Sequence, residues 1–317
     1  MMRIRIGTRG SQLALWQART ISERLSNEDL VCETVIIKTS GDRLADAPLS
    51  EAGGKRLFVK EIEDALLDGR VDIAVHSAKD MPVQSADDLE IAAVLPREEP
   101  WDALVLPNSG GPKPVDATPE TLEQIISRLG PDATIGTSSI RRIAQLRRLF
   151  HLATFAPIRG NLDTRLRKLD EGQYAALVLA AAGLKRLGAG PRISARLPVD
   201  ACVPAPGQGA IAIEIRANDE AIRARLLAIN DAETHAALLA ERAVVSALGG
   251  GCQMPIGALA QPLNDDTLDL RAIVISSDGA RVVRAQATGP LLDPESLGRG
   301  VGEHLLAQGA AEILATP

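Results

Sequence analysis

The first hundred residues alternate short apolar segments with longer segments in which apolar residues recur at helical spacing. The short segments predict strands at 3–7, 31–39 and 71–75, and the longer ones predict helices at 13–25 and 55–68. Ser11 is a plausible N-cap for the first helix, and Gly69 is a natural stop for the second. Alternating strands and helices predict a mostly parallel sheet with helices on its faces.

The same pattern recurs later in the chain. Ile135-Gly136-Thr137, followed by a helix-like run, repeats Ile6-Gly7-Thr8. Residues 169–174 lead into a predicted strand at 175–179, much as residues 67–71 precede the strand of the first half. This weak internal repeat predicts two α/β domains of similar plan.

Clusters of proline and glycine at 96–100 and 204–209 indicate that the chain crosses twice between these domains. We therefore predict a discontinuous first domain (1–96 and 206–228) with a second domain (101–203) inserted into it. From Asp231, which caps a predicted helix to about Leu248, the pattern changes. Strands with turns at 264–266 and 277–279 and a last helix at 294–314 predict a small α+β third domain (231–317).

The predicted fold class is thus α/β: two hinged domains like those of periplasmic binding proteins, plus a small α+β C-terminal domain. A hinged pair of this kind holds its ligand in the cleft between the domains, at the carboxyl ends of the strands.

Composition excludes several classes of protein. Aromatic residues are only 2% of the 317 residues and the net charge is −6, which argues against binding nucleic acid or an anionic membrane. We find no export signal, no apolar run of membrane-spanning length and no nucleotide-binding glycine motif. Three scattered cysteines and four scattered histidines predict neither a disulfide framework nor a metal site, and a reducing cytoplasm fits best.

Polar residues follow the strand at 71–75 directly, in the segment His76-Ser77-Ala78-Lys79-Asp80. This is where ligands bind in open α/β sheets, and the neighbouring lysine favours an ionised Asp80. A fixed carboxylate there can act as a general acid or base, or stabilise a cationic intermediate. The alternative is that Asp80 only shapes a turn before Pro82.

Between Arg141 and Lys168 the chain carries eight lysines or arginines and a single acid, Asp163. Arginine forks match carboxylates, and a helix N-terminus such as the one predicted at Ser139 also favours anions. Clustered cations repel one another unless an anion joins them, so the cluster predicts a polyanionic ligand. The alternative is a solvated basic face, to which we assign four residues: Arg147, Arg148, Arg167 and Lys168.

Cys252 lies in a glycine-rich segment, 249–255, beside a predicted helix end. Such flanks expose a thiol, which makes it a usable nucleophile. The alternative is a loop cysteine without a role.

Ten segments, in chain order, together resemble one known family. They are IGTR at 6–9, SQLALWQA at 11–18, GGK at 53–55, LFVKE at 57–61, HSAKD at 76–80, GTSSIRR at 136–142, RGN at 159–161, AGLKRLG at 182–188, PGQGA at 206–210 and GGCQMPIG at 250–257. The chain is similar here to the porphobilinogen deaminases (hydroxymethylbilane synthases).

The resemblance implies a transferase that joins four porphobilinogen molecules head to tail into linear hydroxymethylbilane, releasing ammonia. The chain would grow on a dipyrromethane cofactor held by a thioether to Cys252. Asp80 would be the catalytic residue, helping ammonia to leave and stabilising the cationic pyrrole. Phe58 would pack near the cofactor. The residues implied to bind substrate or cofactor are Arg9, Ser11, Lys55, Ser77, Lys79, Thr137, Ser139, Arg141, Arg142, Arg159, Gly160, Arg165, Arg186 and Gln208.

The resemblance further implies a monomeric cytoplasmic enzyme of haem biosynthesis, with hand-over of the product to the next enzyme as a further possibility. Glu51 stands where many members carry lysine, and the loop at 108–116 is longer than usual. Two other hypotheses stay open at this point. One is a non-catalytic small-anion binding protein, and the other a nucleic-acid binder that uses residues 141–168.

Overall fold

The computed structural model describes residues 2–26, 29–43, 59–108, 121–250 and 254–315, and the strands in this part of the chain form three sheets. The strands are β1 (Met2–Thr8), β2 (Leu30–Ile36), β3 (Ile73–Ser77), β4 (Leu89–Val94), β5 (Asp102–Val105), β6 (Thr134–Gly136), β7 (Thr154–Ala156), β8 (Ala176–Ala180), β9 (Ala195–Arg196), β10 (Ile211–Arg216), β11 (Ile256–Asn264), β12 (Thr267–Ile275) and β13 (Val282–Pro290).

The helices lie between these strands and cover the sheets. They are α1 (Gln12–Leu25), α2 (Ser40–Arg43), α3 (Lys60–Leu67), α4 (Leu122–Leu129), α5 (Ile140–Leu146), α6 (Leu162–Asp170), α7 (Ala181–Arg186), α8 (Glu220–Leu226), α9 (Ala232–Ala247), α10 (Pro294–Ala307) and α11 (Ala310–Leu314).

The first sheet has the order β2-β1-β3-β10-β4. β1 pairs in parallel with β2 and β3, whereas β10 runs antiparallel to both of its neighbours. The prediction of a mostly parallel sheet is therefore confirmed, and the one reversed strand was not foreseen. Helix α1 begins after Ser11, whose side chain accepts a hydrogen bond from the Ala14 amide, so the predicted N-cap is confirmed.

The second sheet repeats the arrangement of the first, with the order β7-β6-β8-β5-β9 and β5 as its reversed strand. Gly7 of β1 and Gly136 of β6 occupy equivalent places, because each strand is second in its sheet and pairs with two parallel neighbours. The internal repeat in the sequence thus corresponds to two similar sheets. In each sheet the reversed strand is the one that the chain forms as it enters from the other sheet.

The C-terminal residues form the antiparallel sheet β11-β12-β13, which α9 and α10 cover. Asp231 caps α9 by accepting from the Thr234 amide, as predicted. The single last helix predicted at 294–314 is wrong, because α10 and α11 are separate helices. Gly309, with a φ of 92°, breaks the run between them. The α/β fold class with a small C-terminal unit is confirmed, while the predicted domain limits stay a prediction.

Candidate active site

Predicted site residues follow the carboxyl ends of parallel strands in both sheets. In the first sheet, Arg9 and Ser11 follow β1, and β3 ends at Ser77, from which a 3-10 helix runs from Ala78 to Asp80. In the second sheet, residues 137–142 follow β6 and residues 159–160 follow β7. Ligands of open α/β sheets bind at such ends.

A small cavity of about 60 Å³ lies at the end of β3. Four predicted site residues line it together with Gln17 and His76: Arg9, Ser11, Ser77 and Asp80. Gln17 is almost fully buried and its amide donates to the Ser77 hydroxyl over 2.8 Å. The structure thus brings these four residues together, and adds Gln17, which the sequence analysis did not select.

Lys79 and Asp80 are both only partly exposed. Burial lowers the pKa of Lys79 to about 8, and Arg142 and Arg141 lower it as well, while Asp80 and Asp102 oppose them. Lys79 therefore lies within electrostatic range of arginines that belong to the second sheet. Cations and carboxylates from both sheets meet at this point.

Arg141 and Arg142 are buried, with 5% and 8% of their surface exposed, and both contact Asp102 at the start of β5. Arg141 Nη1 lies 2.7 Å from Asp102 Oδ2, and Arg142 Nε lies 2.9 Å from Oδ1. Burial raises the pKa of Asp102, but the two guanidiniums outweigh it and hold that pKa well below its usual range. The sequence analysis predicted both arginines as ligand-binding residues, and the structure places an internal carboxylate between them.

Asp102 was missed because one acid beside a proline-rich segment is ambiguous. The signal was present, however, since Asp102 is the only charged residue in the apolar run Trp101–Leu106 of the sequence. A buried charge requires a partner, and Arg141 and Arg142 were among the candidates within the same predicted domain.

Ser139 caps α5 by accepting a hydrogen bond from the Arg142 amide. Thr137, which is buried, accepts from the Ser139 amide through its hydroxyl. The predicted helix start at Ser139 is confirmed. Both side chains take part in holding this helix N-terminus, which follows the end of β6.

Arg159, Gly160 and Arg165 belong to the segment that leads from β7 into α6. Gly160 has a φ of 104°, and a Cβ there would lie 2.7 Å from Thr164. Its carbonyl accepts from Arg165 Nε over 2.8 Å. Burial lowers the pKa of Arg165, with Arg142 acting in the same sense and Asp80 opposing. Arg165 thus lies within electrostatic range of both sheets' site residues.

Arg186 and Gln208 lie where the chain crosses between the sheets. Arg186 donates to the Gly209 carbonyl over 2.7 Å, and its guanidinium lies 5.6 Å from the centre of the Trp16 ring. Burial lowers its pKa to about 10. Gln208 is 1% exposed and donates to Asp102 Oδ1 and to the Pro100 carbonyl. Both side chains therefore contact the crossing segments directly.

Cys252, Lys55 and Phe58 lie outside the described residues. The described part of the glycine segment follows α9 and ends at Gly250, which has a φ of 48°. Gly249 and Gly250 line a larger cavity of about 640 Å³, whose opposite wall is the segment that begins at Pro82. This cavity therefore separates the end of α9 from the residues just after Asp80.

Over the ranges that the structure covers, no group of three acidic, histidine or cysteine side chains is arranged to hold a metal ion. The helices of the same ranges are too short or too polar to cross a bilayer.

Fold and site together define a class: an α/β protein with two similar sheets, whose strand ends present several cations around one carboxylate, suited to an acidic ligand. Two family models match the chain, the dipyrromethane cofactor binding domain of porphobilinogen deaminase over residues 4–224 and the C-terminal domain of porphobilinogen deaminase over residues 235–307. The chain belongs to the porphobilinogen deaminase family.

Curated relatives match along almost the whole chain. Porphobilinogen deaminase of Bordetella parapertussis is 46% identical, over 99% of this chain and 96% of its own. That of Acidithiobacillus ferrooxidans is 47% identical over 98% and 97%, and that of Chromobacterium violaceum is 45% identical over 99% and 98%. The resemblance seen in the ten sequence segments is confirmed.

Solved structures of other proteins are similar at lower levels. An ancestral cationic amino acid solute binding protein is 12% identical with a TM-score of 0.41, covering 71% of this chain and 86% of its own. The periplasmic VFT2 domain of Bordetella pertussis BvgS is 17% identical with a TM-score of 0.38, covering 72% and 86%.

Proposed function

We propose that the chain is a transferase of tetrapyrrole biosynthesis that makes linear hydroxymethylbilane from four porphobilinogen molecules. Each condensation joins the aminomethyl carbon of one pyrrole to the free α-carbon of the growing chain and releases ammonia. Water then cleaves the finished four-ring chain from the primer and supplies its hydroxyl group. The observation that carries the proposal is the meeting of Lys79, Arg142 and Arg165 with Asp80 at the strand ends of two sheets. Each pyrrole ring brings two carboxylates, which such cations attract.

Asp80 is assigned the catalytic role. As ammonia leaves, positive charge develops on the pyrrole, and a fixed carboxylate stabilises it most where little water competes. Asp80 lines a cavity of about 60 Å³ and is only partly exposed, which fits that requirement. A carboxylate can also accept the hydrogen bond of the ring N–H.

The remaining assignments concern the acetate and propionate side chains of the pyrroles. Lys79, Arg142 and Arg165 are best placed for them, because all three lie within electrostatic range of the site centre. The helix N-terminus at Thr137 and Ser139 adds amide donors. Further residues assigned to this binding set are Arg9, Ser11, Ser77, Arg141, Arg159, Gly160, Arg186 and Gln208, with Lys55 and the packing residue Phe58 outside the described residues.

The dipyrromethane cofactor is assigned to Cys252. When bound, it supplies the nucleophilic pyrrole carbon to which the first substrate ring is joined. The described residues fit such a group at the strand ends, where Lys79, Arg142 and Arg165 would supply partners for its carboxylates.

Mass spectrometry of the intact protein tests the proposal. We expect the purified chain to exceed its sequence mass by two pyrrole units and to form bilane from porphobilinogen. The Cys252→Ser variant should lack both properties, and Cys32→Ser, at a cysteine in the edge strand β2 of the first sheet, should retain both. An unmodified but active parent chain would exclude the cofactor assignment. A non-catalytic anion-binding protein would show neither the adduct nor the product.

We further infer that the enzyme is monomeric and cytoplasmic, that it binds no nucleic acid, and that it can hand its product to the next enzyme of the pathway. The net charge of −6 and the scarcity of aromatic residues support the exclusion of nucleic acid. Sedimentation of the cofactor-bearing protein tests the oligomeric state, and a dimer at micromolar concentration would contradict it.

A further inference from the structure

Asp102 is an internal carboxylate that accepts hydrogen bonds from three separate segments. Oδ1 accepts from Arg142 Nε at 2.9 Å and from the Gln208 amide at 2.9 Å. Oδ2 accepts from Arg141 Nη1 at 2.7 Å and from the Cys202 thiol at 3.3 Å. The side chain has no exposed surface. A buried carboxylate with this many donors remains ionised.

The contacts of Asp102 fix two arginines. Arg141 also donates to the Val203 carbonyl over 2.6 Å, so the contacts of its Nη1 atom are all internal. Arg142 donates to the Val178 carbonyl through Nη1 and to Asp102 through Nε, and its Nη2 atom lies 2.7 Å from Asp102 Oδ1. Arg142 is also the arginine that lies within electrostatic range of both Lys79 and Arg165. Asp102 therefore connects the interior to the cations that face the ligand.

The charges around Asp102 do not balance. Arg141 and Arg142 bring two positive charges against one carboxylate, and Lys79 and Arg165 add two more nearby, with Asp80 as a second carboxylate. Without Asp102, these four cations would share Asp80. With it, the excess among these six groups falls to two positive charges, which still attracts a ligand carboxylate.

On the basis of the proposed function, we propose that Asp102 is a positioning residue for recognition of the substrate's carboxylate side arms. It holds Arg142 in place beside Lys79, and it sets the net charge of the pocket that receives the acetate and propionate groups.

The test compares Asp102→Asn, which keeps the shape and removes the charge, with Asp170→Asn. Asp170 also accepts two hydrogen bonds from one arginine, Arg192 Nη2 to Oδ1 at 2.7 Å and Nη1 to Oδ2 at 3.0 Å. Asp170 lies near the surface, so Asp170→Asn makes the same chemical change away from the site. The readouts are the thermal unfolding midpoint, the mass of the cofactor-bearing protein, kcat and KM for porphobilinogen, and the pH profile of kcat/KM.

We expect Asp102→Asn to lower kcat/KM at neutral pH by about tenfold or more, mainly through KM. The alkaline fall in kcat/KM should also move to lower pH. Asp102 raises the pKa of Lys79, together with Asp80, against burial, Arg142 and Arg141, so its loss makes Lys79 easier to deprotonate. If Asp102 had only a structural role, its substitution would lower the unfolding midpoint without shifting the alkaline fall in kcat/KM, which is called the alkaline limb below. Asp170→Asn should leave kcat/KM and the limb unchanged.

Parental kcat/KM and an unmoved limb in folded Asp102→Asn would overturn the inference while leaving the proposed function intact. An inactive parent chain would instead overturn the proposed function, and the inference with it.

If Asp102→Asn does not fold, Asp102→Glu is measured in its place. It keeps the charge and moves the carboxylate by one methylene, so kcat/KM should still fall about tenfold with the limb in place. Parental kcat/KM in that variant would overturn the inference.

Discussion

Lys79 and Asp80 are adjacent in the chain but have opposite requirements. Asp80 must carry its charge close to a developing cation, whereas Lys79 must carry its charge close to a ligand carboxylate. The surroundings of Lys79 disfavour its charged form, because burial and two arginines lower its pKa to about 8. Lys79 is thus protonated at neutral pH with little margin, and its charge is the first in the site to be lost as pH rises.

This margin predicts a pH dependence. Below about pH 8 Lys79 is an ammonium that attracts substrate, and above it a neutral amine that does not, so kcat/KM should fall as pH rises through about 8. In Lys79→Arg the cation persists, since arginine titrates only above about pH 12. Initial rates across this range should therefore show the alkaline fall in the parent chain and lose it in the variant. A fall of equal position and depth in both proteins would contradict the assignment.

The catalytic role assigned to Asp80 predicts that a substitution there reduces turnover but leaves folding intact. Asp80→Asn removes the charge and keeps the shape, so kcat should drop by about 10² to 10⁴. Because the side chain is partly exposed, the unfolding midpoint should change little. Asp88→Asn, at an exposed carboxylate eight residues later, is the matched control and should keep parental turnover. Turnover within about twofold of the parent's in Asp80→Asn would exclude the catalytic role.

At the scale of single elements, the start of α5 combines a structural and a binding requirement. Ser139 caps the helix through its hydroxyl, and the same N-terminus follows β6 at the edge where ligands are expected. A serine satisfies both, because its hydroxyl accepts from an amide and adds no charge.

Two substitutions at Ser139 separate these requirements. Ser139→Ala removes the cap and should reduce the free energy of unfolding by about 1 kcal/mol. Ser139→Asp keeps the cap but places a negative charge at the helix start, so the protein should stay near parental stability while KM for porphobilinogen rises about tenfold or more. Denaturant unfolding and steady-state kinetics measure the two effects. Parental KM in Ser139→Asp would show that no ligand carboxylate approaches this helix.

Several elements could be predicted from the sequence because local signals specify them. Ser11 and Asp231 were recognisable as caps, and each accepts a hydrogen bond from a backbone amide of its helix. The helix start at residues 137–139 was also predicted, and Ser139 is its cap. The break at Gly309 was not predicted, because α10 and α11 share an apolar face and a glycine does not by itself end a helix. The reversed directions of β5 and β10 were also missed, since direction depends on where the chain enters a sheet and not on the strand's own residues.

In the candidate active site, too, some features could be predicted from the sequence and others could not. Strand ends followed by polar residues predicted the positions of Asp80 and of the arginines after β6. What the sequence could not provide was the partner of those arginines. The contact between Arg141 and Asp102 spans 39 positions, and only the fold brings the two side chains together.

At the scale of the whole molecule, one buried ion pair joins the chain crossings to the C-terminal unit. Arg97, on the first crossing, donates to both Glu241 oxygens on α9 at 2.6 and 3.2 Å, and to the Gln208 carbonyl on the second crossing. Glu241 has no exposed surface and also accepts from the amides of Gly207 and Ala260. The two Glu241 oxygens therefore accept hydrogen bonds from three parts of the chain: Arg97, Gly207 and Ala260.

Glu241→Gln should therefore destabilise the protein far more than the loss of one charge at the surface. An amide nitrogen would replace one carboxylate oxygen and face a backbone N–H, and Arg97 would keep its charge with no counter-ion. Removing one partner of a buried pair costs about 3–5 kcal/mol, whereas replacing both by apolar residues of similar volume is often neutral.

We expect Glu241→Gln to lower the free energy of unfolding by about 3–5 kcal/mol, and Arg97→Met with Glu241→Leu to recover part of that loss. Chemical denaturation of the parent, Arg97→Met, Glu241→Leu and the double variant measures the coupling, with Glu241→Gln measured beside them. Additive losses would mean that Arg97 and Glu241 stabilise the junction independently of each other.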